Sequence, residues 1–127
     1  MKLTLTILEG GYGIHRFAPD AVVPDTIQES RFYSVCRSDE ELSIVCGADI
    51  DVNALQSEAG WRIIKIVGPL DFSLTGILAS VAEQLAGEKI AIFALSTFAT
   101  DYILVREENL AQAKRALQEA GHHFIST

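Results

Sequence analysis

The feature that most constrains the fold is a change of apolar period just after the middle of the chain. Trp61-Arg62-Ile63-Ile64-Lys65-Ile66-Val67 is rich in β-branched residues, which suits a largely buried strand, and it stops at Gly68-Pro69. The spacing then becomes helical: Leu74, Ile77, Leu78, Val81 and Leu85 share one face, Ser73 is placed to cap the start, and Gly87 stands where a left-handed residue ends a helix. Ile90-Ala91-Ile92-Phe93-Ala94-Leu95 is apolar on both faces, as an interior strand would be. After the polar link Ser96-Thr97-Phe98-Ala99-Thr100-Asp101, Tyr102-Ile103-Leu104-Val105 completes a predicted hairpin. A second helix is predicted from about Glu107, with Leu110, Ala113, Leu117 and Ala120 on one face and Gly121 as its stop. Phe124 and Ile125 offer a last short strand.

In order, these elements give the βαββαβ pattern of a ferredoxin-like α+β sandwich, antiparallel with helices on one sheet face. The doubly apolar strand predicts that the other face is covered as well, by a partner subunit or by the first half of the chain. That first half reads differently. Leu3, Leu5 and Ile7 alternate with Thr4 and Thr6, and Gly10-Gly11-Tyr12-Gly13 turns the chain towards Ile14-His15-Arg16-Phe17, which predicts a hairpin. Residues 18–28 read as a loop, residues 32–37 and 41–46 as a second hairpin, and residues 52–59 as a short helix ended by Gly60. The expected division is therefore 1–60, a reduced version of the pattern with its first helix replaced by a turn, and 61–127, a complete one.

Charge and composition narrow the function. A formal net charge of −7 with singly scattered Lys and Arg argues against nucleic acid and against an anionic membrane surface. The apolar run at the start is too short for a signal peptide, so a cytoplasmic protein is expected. Cys36 and Cys46 are too few for a disulfide scaffold, lack metal-ligand spacing and would not face each other in the second hairpin. Neither lies in a nucleophile motif, and no enzyme, metal or cofactor is expected. The adjacent His122 and His123 read as a solvated chain end. Asp49 and Asp51 lack the other ligands and the turn glycine of a calcium loop. Gly10-Gly11-Tyr12-Gly13 lacks the rest of a phosphate-binding fingerprint.

Two loops remain as binding candidates. In Gly68-Pro69-Leu70-Asp71-Phe72-Ser73-Leu74-Thr75-Gly76 a strand end meets a helix start, where free N–H groups and the helix dipole favour an anion such as a carboxylate; the plainer reading is capping by Ser73 and close packing at Gly76. Ser96-Thr97-Phe98-Ala99-Thr100-Asp101 gathers hydroxyls and a carboxylate suited to an amine or a cationic side chain, although such residues also build ordinary turns.

These two segments, with residues 32–35 and 41–46 and the opening Gly11-Tyr12-Gly13-Ile14-His15-Arg16-Phe17, closely resemble the ACT domains of the CASTOR-like bacterial family. The resemblance implies two ACT-like units in one chain, related to aspartokinase regulatory units and to eukaryotic arginine sensors of the CASTOR type. It implies an effector, an amino acid above all, gripped by the strand-to-helix loop at Asp71, Ser73, Thr75, Gly76 and Ile77, with Thr97 and Asp101 contributing from the second loop. It further implies a homodimer that passes its signal to a regulated protein yet to be identified.

Overall fold

The computed structural model describes residues 2–67 and 76–126. Along the chain run β1 (Thr4–Ile7), β2 (Tyr12–Phe17), β3 (Ser34–Arg37), β4 (Leu42–Gly47), β5 (Gln56–Ile66), α1 (Ile77–Gly87), β6 (Ile92–Ser96), β7 (Asp101–Arg106), α2 (Leu110–Glu119) and β8 (His123–Ile125). Short 3-10 turns occupy Asp25–Glu29 and Glu107–Asn109. The chain divides into two compact units: Met1–Glu9 with Arg62–Thr127, and Gly10–Trp61.

In the first unit the strand order is β6-β7-β5-β1-β8, where β5 contributes the residues after Trp61. The alternation of β1 places Leu3, Leu5 and Ile7 on the face that α1 and α2 cover. There Leu5, Ile64, Ile66, Val81, Leu85, Ile103, Val105, Ala113 and Leu117 form one core with no exposed surface. The helices and four of the strands follow the predicted βαββαβ order, so the fold is ferredoxin-like. The fifth strand was not foreseen. β1 lies antiparallel to β5 and parallel to β8, filling the slot between them and making the sheet mixed. The expected hairpin of β1 with β2 is therefore overturned: β1 pairs Leu5 with Ile66, whereas β2 pairs Tyr12 with Trp61, so each takes its own stretch of β5.

β6 also differs from expectation. It pairs with β7 alone among the described strands, and residues 92–96 are all partly or fully exposed, so it is an edge strand and not an interior one. Its apolar character on both faces carried no information about its place in the order. On the sheet face opposite the helices, Ile63 and Leu104 are fully buried within the single chain.

Both helices end in the same way. At the end of α2, Gly121 is left-handed (φ 100°), its N–H donates to the Gln118 carbonyl at 3.0 Å, and the His122 N–H donates to the Leu117 carbonyl at 3.1 Å. Gly121 is thus the predicted stop. In α1 the left-handed position falls on Lys89 (φ 60°), with Lys89 N–H to Ala86 O at 2.9 Å and Ile90 N–H to Leu85 O at 3.0 Å; Gly87 is still helical. Burial of Ile90 against Leu85 fixes the register of this stop, two residues later than the glycine predicts. His122, expected to be solvated, is 4% exposed. The residue after a helix-stop glycine folds back over the last turn, which a reading of the two histidines as a chain end ignores.

In the second unit the order is β3-β4-β2-β5, with β5 contributing residues up to Trp61. Phe17, Leu42, Ile44 and Cys46 face a core closed by Ile27 from the 3-10 turn and by Ile50. The 3-10 turn stands where the first helix of the pattern would be. Residues 52–55 are irregular and Gln56 to Gly60 are strand, so the expected helix over 52–59 is overturned. Gln56, Ser57 and Glu58 pair with Arg16, His15 and Ile14, and this backbone ladder outweighs a weak helical spacing. The β3–β4 hairpin is as predicted: Cys36 lies opposite Ser43 and Cys46 opposite Gly13, so the two free thiols do not meet.

Candidate functional site

The site candidates lie in the first unit, and the β6–β7 hairpin organises those that the structure describes. Ser96 is paired across the hairpin neck with Asp101, and its Oγ donates to Asp101 Oδ1 at 2.5 Å. The turn between them closes through Thr97 N–H to Thr100 O at 2.8 Å, reinforced by Thr97 Oγ1, which also donates to that carbonyl at 3.2 Å. Thr97 thus serves the turn with both of its donors, although its side chain lies in the exposed part of the loop.

Thr100 ties this turn to the rest of the sheet. It is 4% exposed, and its hydroxyl donates to the Ile66 carbonyl, the last of β5, at 2.6 Å. Sequence reasoning placed Thr100 only among the loop's hydroxyls, because a threonine in a turn carries no mark that separates a local bond from one across 34 residues.

Alternation along β7 fixes where Asp101 points. Ile103 and Val105 belong to the helix-covered core, so Asp101, of the same parity, faces the helices from the first position of the strand. The Thr100 bond sets this end of β7 beside the end of β5, and β6, antiparallel to β7, therefore runs in the direction of β5. α1 is then the crossover between two parallel strands, and such a helix begins at the end of the sheet where the first strand stops. Asp101 and the N-terminus of α1 accordingly share one end and one face of the sheet.

At that N-terminus Gly76 is the cap residue, left-handed at φ 78°, with nothing within 4 Å of the position a Cβ would take. The glycine is needed for its backbone conformation and not, as the alternative reading had it, for close packing. No side chain caps the helix among the described residues, and the first N–H groups of a helix have no partner within it. Ile77 is 7% exposed and belongs to the core, which makes it a wall of the site and not a polar contact. Asp71, Ser73 and Thr75 lie outside the described residues. The arrangement thus offers an acceptor for a cationic group in Asp101 and donors for an anion at the start of α1, the two charges of an amino-acid zwitterion. Among the described residues no group of three or more His, Cys, Asp or Glu is gathered as a metal site would require, and no helix is long and apolar enough to cross a membrane.

Comparison with known proteins agrees with the fold. A family model described as an ACT domain matches residues 56–119, and a second, described as an N-terminal domain, matches residues 10–50. The Homo sapiens cytosolic arginine sensor for mTORC1 subunit 1 is 39% identical over 67 residues, covering 50% of this chain and 20% of the sensor. The matched stretch therefore spans about a fifth of that relative. Among solved structures, an Agrobacterium tumefaciens protein is 37% identical with a TM-score of 0.92, covering 100% of this chain and 95% of that one. The regulatory subunit of aspartate kinase from Thermus thermophilus, 11% identical with a TM-score of 0.64 over 92% of this chain and 97% of its own, shares the fold.

Proposed function

The chain belongs to the ACT-domain family, and from that membership we propose that it is a regulatory module without catalytic activity of its own that binds a small effector, an amino acid, in its first unit. What supports this reading is that the parity of β7 turns Asp101 towards the helices at the end of the sheet where α1 starts, a start that no side chain caps among the described residues. In this reading Asp101, helped by Thr97, receives the cationic group. The N–H groups from Gly76 onward, with Ser73 and Thr75 of the preceding loop, hold the carboxylate, Asp71 of that loop adds an acceptor for the ligand's cationic group, and Ile77 closes the apolar wall. The relative named as an arginine sensor supports an amino-acid effector and makes arginine the first to try. The strand order of the second unit, β3-β4-β2-β5, supports reading it as a reduced ACT-like unit. We place the protein in the cytoplasm as a homodimer, transmitting occupancy to a separate regulated protein through a shift in dimer contacts.

The test is a thermal-shift screen against the common amino acids, because a ligand specific for the folded state adds about 2.7 kcal/mol of stability at a hundredfold excess over its Kd. One amino acid is expected to raise the midpoint, and Asp101→Ala is expected to abolish that rise while leaving the unliganded midpoint nearly unchanged.

A second reading is an interaction module with no small ligand. It is favoured by the bond between Ser96 Oγ and Asp101 Oδ1, which already gives the carboxylate a partner. A well-folded dimer that shifts with none of the amino acids, and whose Asp101→Ala variant assembles unchanged, would select it.

A further inference from the structure

The chain holds a buried histidine that neither the ligand site nor the helix core explains. His122 follows the helix-stop Gly121, is 4% exposed, and reaches two other parts of the unit through its two ring nitrogens. The Leu3 backbone N–H, just ahead of β1, donates to Nδ1 at 3.0 Å. A nitrogen that accepts carries no proton, so the hydrogen must reside on Nε2, which lies 3.0 Å from Gln84 Oε1 on α1. Gln84 accepts it with Oε1 while its own Nε2 donates to Ser80 Oγ at 3.2 Å. The tautomer follows from the Leu3 backbone N–H, which can only donate, and the proton it leaves on Nε2 in turn presents itself to the oxygen of the Gln84 amide.

The ring also stands where the backbone ladder begins. Leu3 gives its carbonyl to the His123 N–H at 2.9 Å while its N–H goes to the imidazole, so the start of the β1–β8 pairing is held by the residue just ahead of β1, gripped by two consecutive residues of the other chain segment. β1 is the strand inserted between β5 and β8, and the imidazole completes its hydrogen bonding at the point where the strand begins.

We propose that His122 is a pH-sensitive clasp: neutral, it fastens β1 to α1 and to the start of β8; protonated on Nδ1, it turns a donor against the Leu3 N–H and releases the β1–β8 side of the first unit. A proton on Nδ1 leaves two donors facing each other in a site closed to water, which costs the Leu3 bond and the desolvation of both groups. The surroundings do nothing to soften this. α1 presents the neutral Gln84 and Ser80, β1 presents backbone, β8 follows with the exposed His123, and among the described residues no carboxylate stands within ion-pair distance of the ring. Burial, and after it the positive charge of the amino terminus, hold the ring's pKa below its ordinary 6.5. The clasp is therefore closed at neutral pH and opens on acidification. This inference is independent of the effector-binding proposal, since none of its residues lies in that site.

The experiment is an NMR titration of the full-length chain, labelled in the histidine rings and the backbone amides, between pH 7.5 and pH 4.5. The expected result at high pH is an His122 ring protonated on Nε2 alone. Its midpoint lies below 6.5, and the protection of the Leu3 amide from exchange falls as the pH drops from 6.5 towards that midpoint, by at most about tenfold per pH unit, and levels off below it. His122→Asn retains an acceptor near the Nδ1 position without a titrating group, and should leave Leu3 protection independent of pH over the same range. A ring protonated on Nδ1 at neutral pH, a midpoint at or above 6.5, or Leu3 protection that does not follow the ring's titration would each overturn the proposal, and the wild-type spectra suffice to read them.

Discussion

Thr100 is the residue that ties the β6–β7 turn to the end of β5. Its hydroxyl satisfies the final carbonyl of β5 in a place closed to water. Thr100→Val keeps the shape and removes the donor, so the carbonyl of Ile66 is left buried without its partner, at a cost of about 1–3 kcal/mol. Urea unfolding should show that loss, and Thr100→Ser should recover most of it; equal losses in the two variants would mean that the methyl, not the hydroxyl, matters. Gly76 is set by backbone conformation. At φ 78° any side chain is strained, so Gly76→Ala is expected to cost about 1–2 kcal/mol even though open space surrounds the position. The thiols differ by burial. Cys36 is exposed, whereas Cys46 is fully buried and its pKa is raised by desolvation and by the charge of Asp49. A thiol reagent should label one cysteine of the native protein and both only after unfolding.

At the scale of elements, the two helix ends make an internal comparison. Both use the same pair of backbone bonds to stop, but α2 places glycine at the left-handed residue and α1 places Lys89 there. Lys89→Gly removes the clash between a Cβ and the following carbonyl, against which stands the greater chain entropy of glycine when unfolded. A net gain of about 0.5–1 kcal/mol is expected in chemical denaturation, and a loss would show that the lysine side chain holds something its strain offsets. The elements also show what local pattern can and cannot convey. The helices, the β6–β7 and β3–β4 hairpins and the stop at Gly121 were all legible, because each is set by spacing and turn chemistry within a few residues. The helix expected over 52–59 was not there, because the residues that claim Gln56 to Glu58 for a strand lie some forty positions away on β2.

For the molecule as a whole, acidification is the informative perturbation. Burial lowers the pKa of His15, and burial with the amino-terminal charge lowers that of His122. Between these depressed values and the unfolded value of 6.5 the unfolded chain binds more protons than the folded one, so stability rises with pH through that window. The contribution of the two rings is complete above 6.5 and is lost as pH falls below it. Urea midpoints at pH 7.5 should exceed those near pH 5. The part of the difference owed to the clasp should vanish in His122→Asn, and an unchanged difference there would assign it to other groups.

The sequence by itself determined the class of fold, the βαββαβ order after Trp61, the family and the two loops in which a site could lie, because apolar period, turn residues and short motifs are properties of neighbouring positions. Only the tertiary structure decided that β1 slots between β5 and β8, that β6 is an edge, that Thr100 reaches Ile66, and that His122 closes over Leu3. Each of these is a choice of partner for a backbone group or a buried polar atom across tens of residues. Many partners satisfy the same local pattern equally well, and burial of the whole core selects one of them.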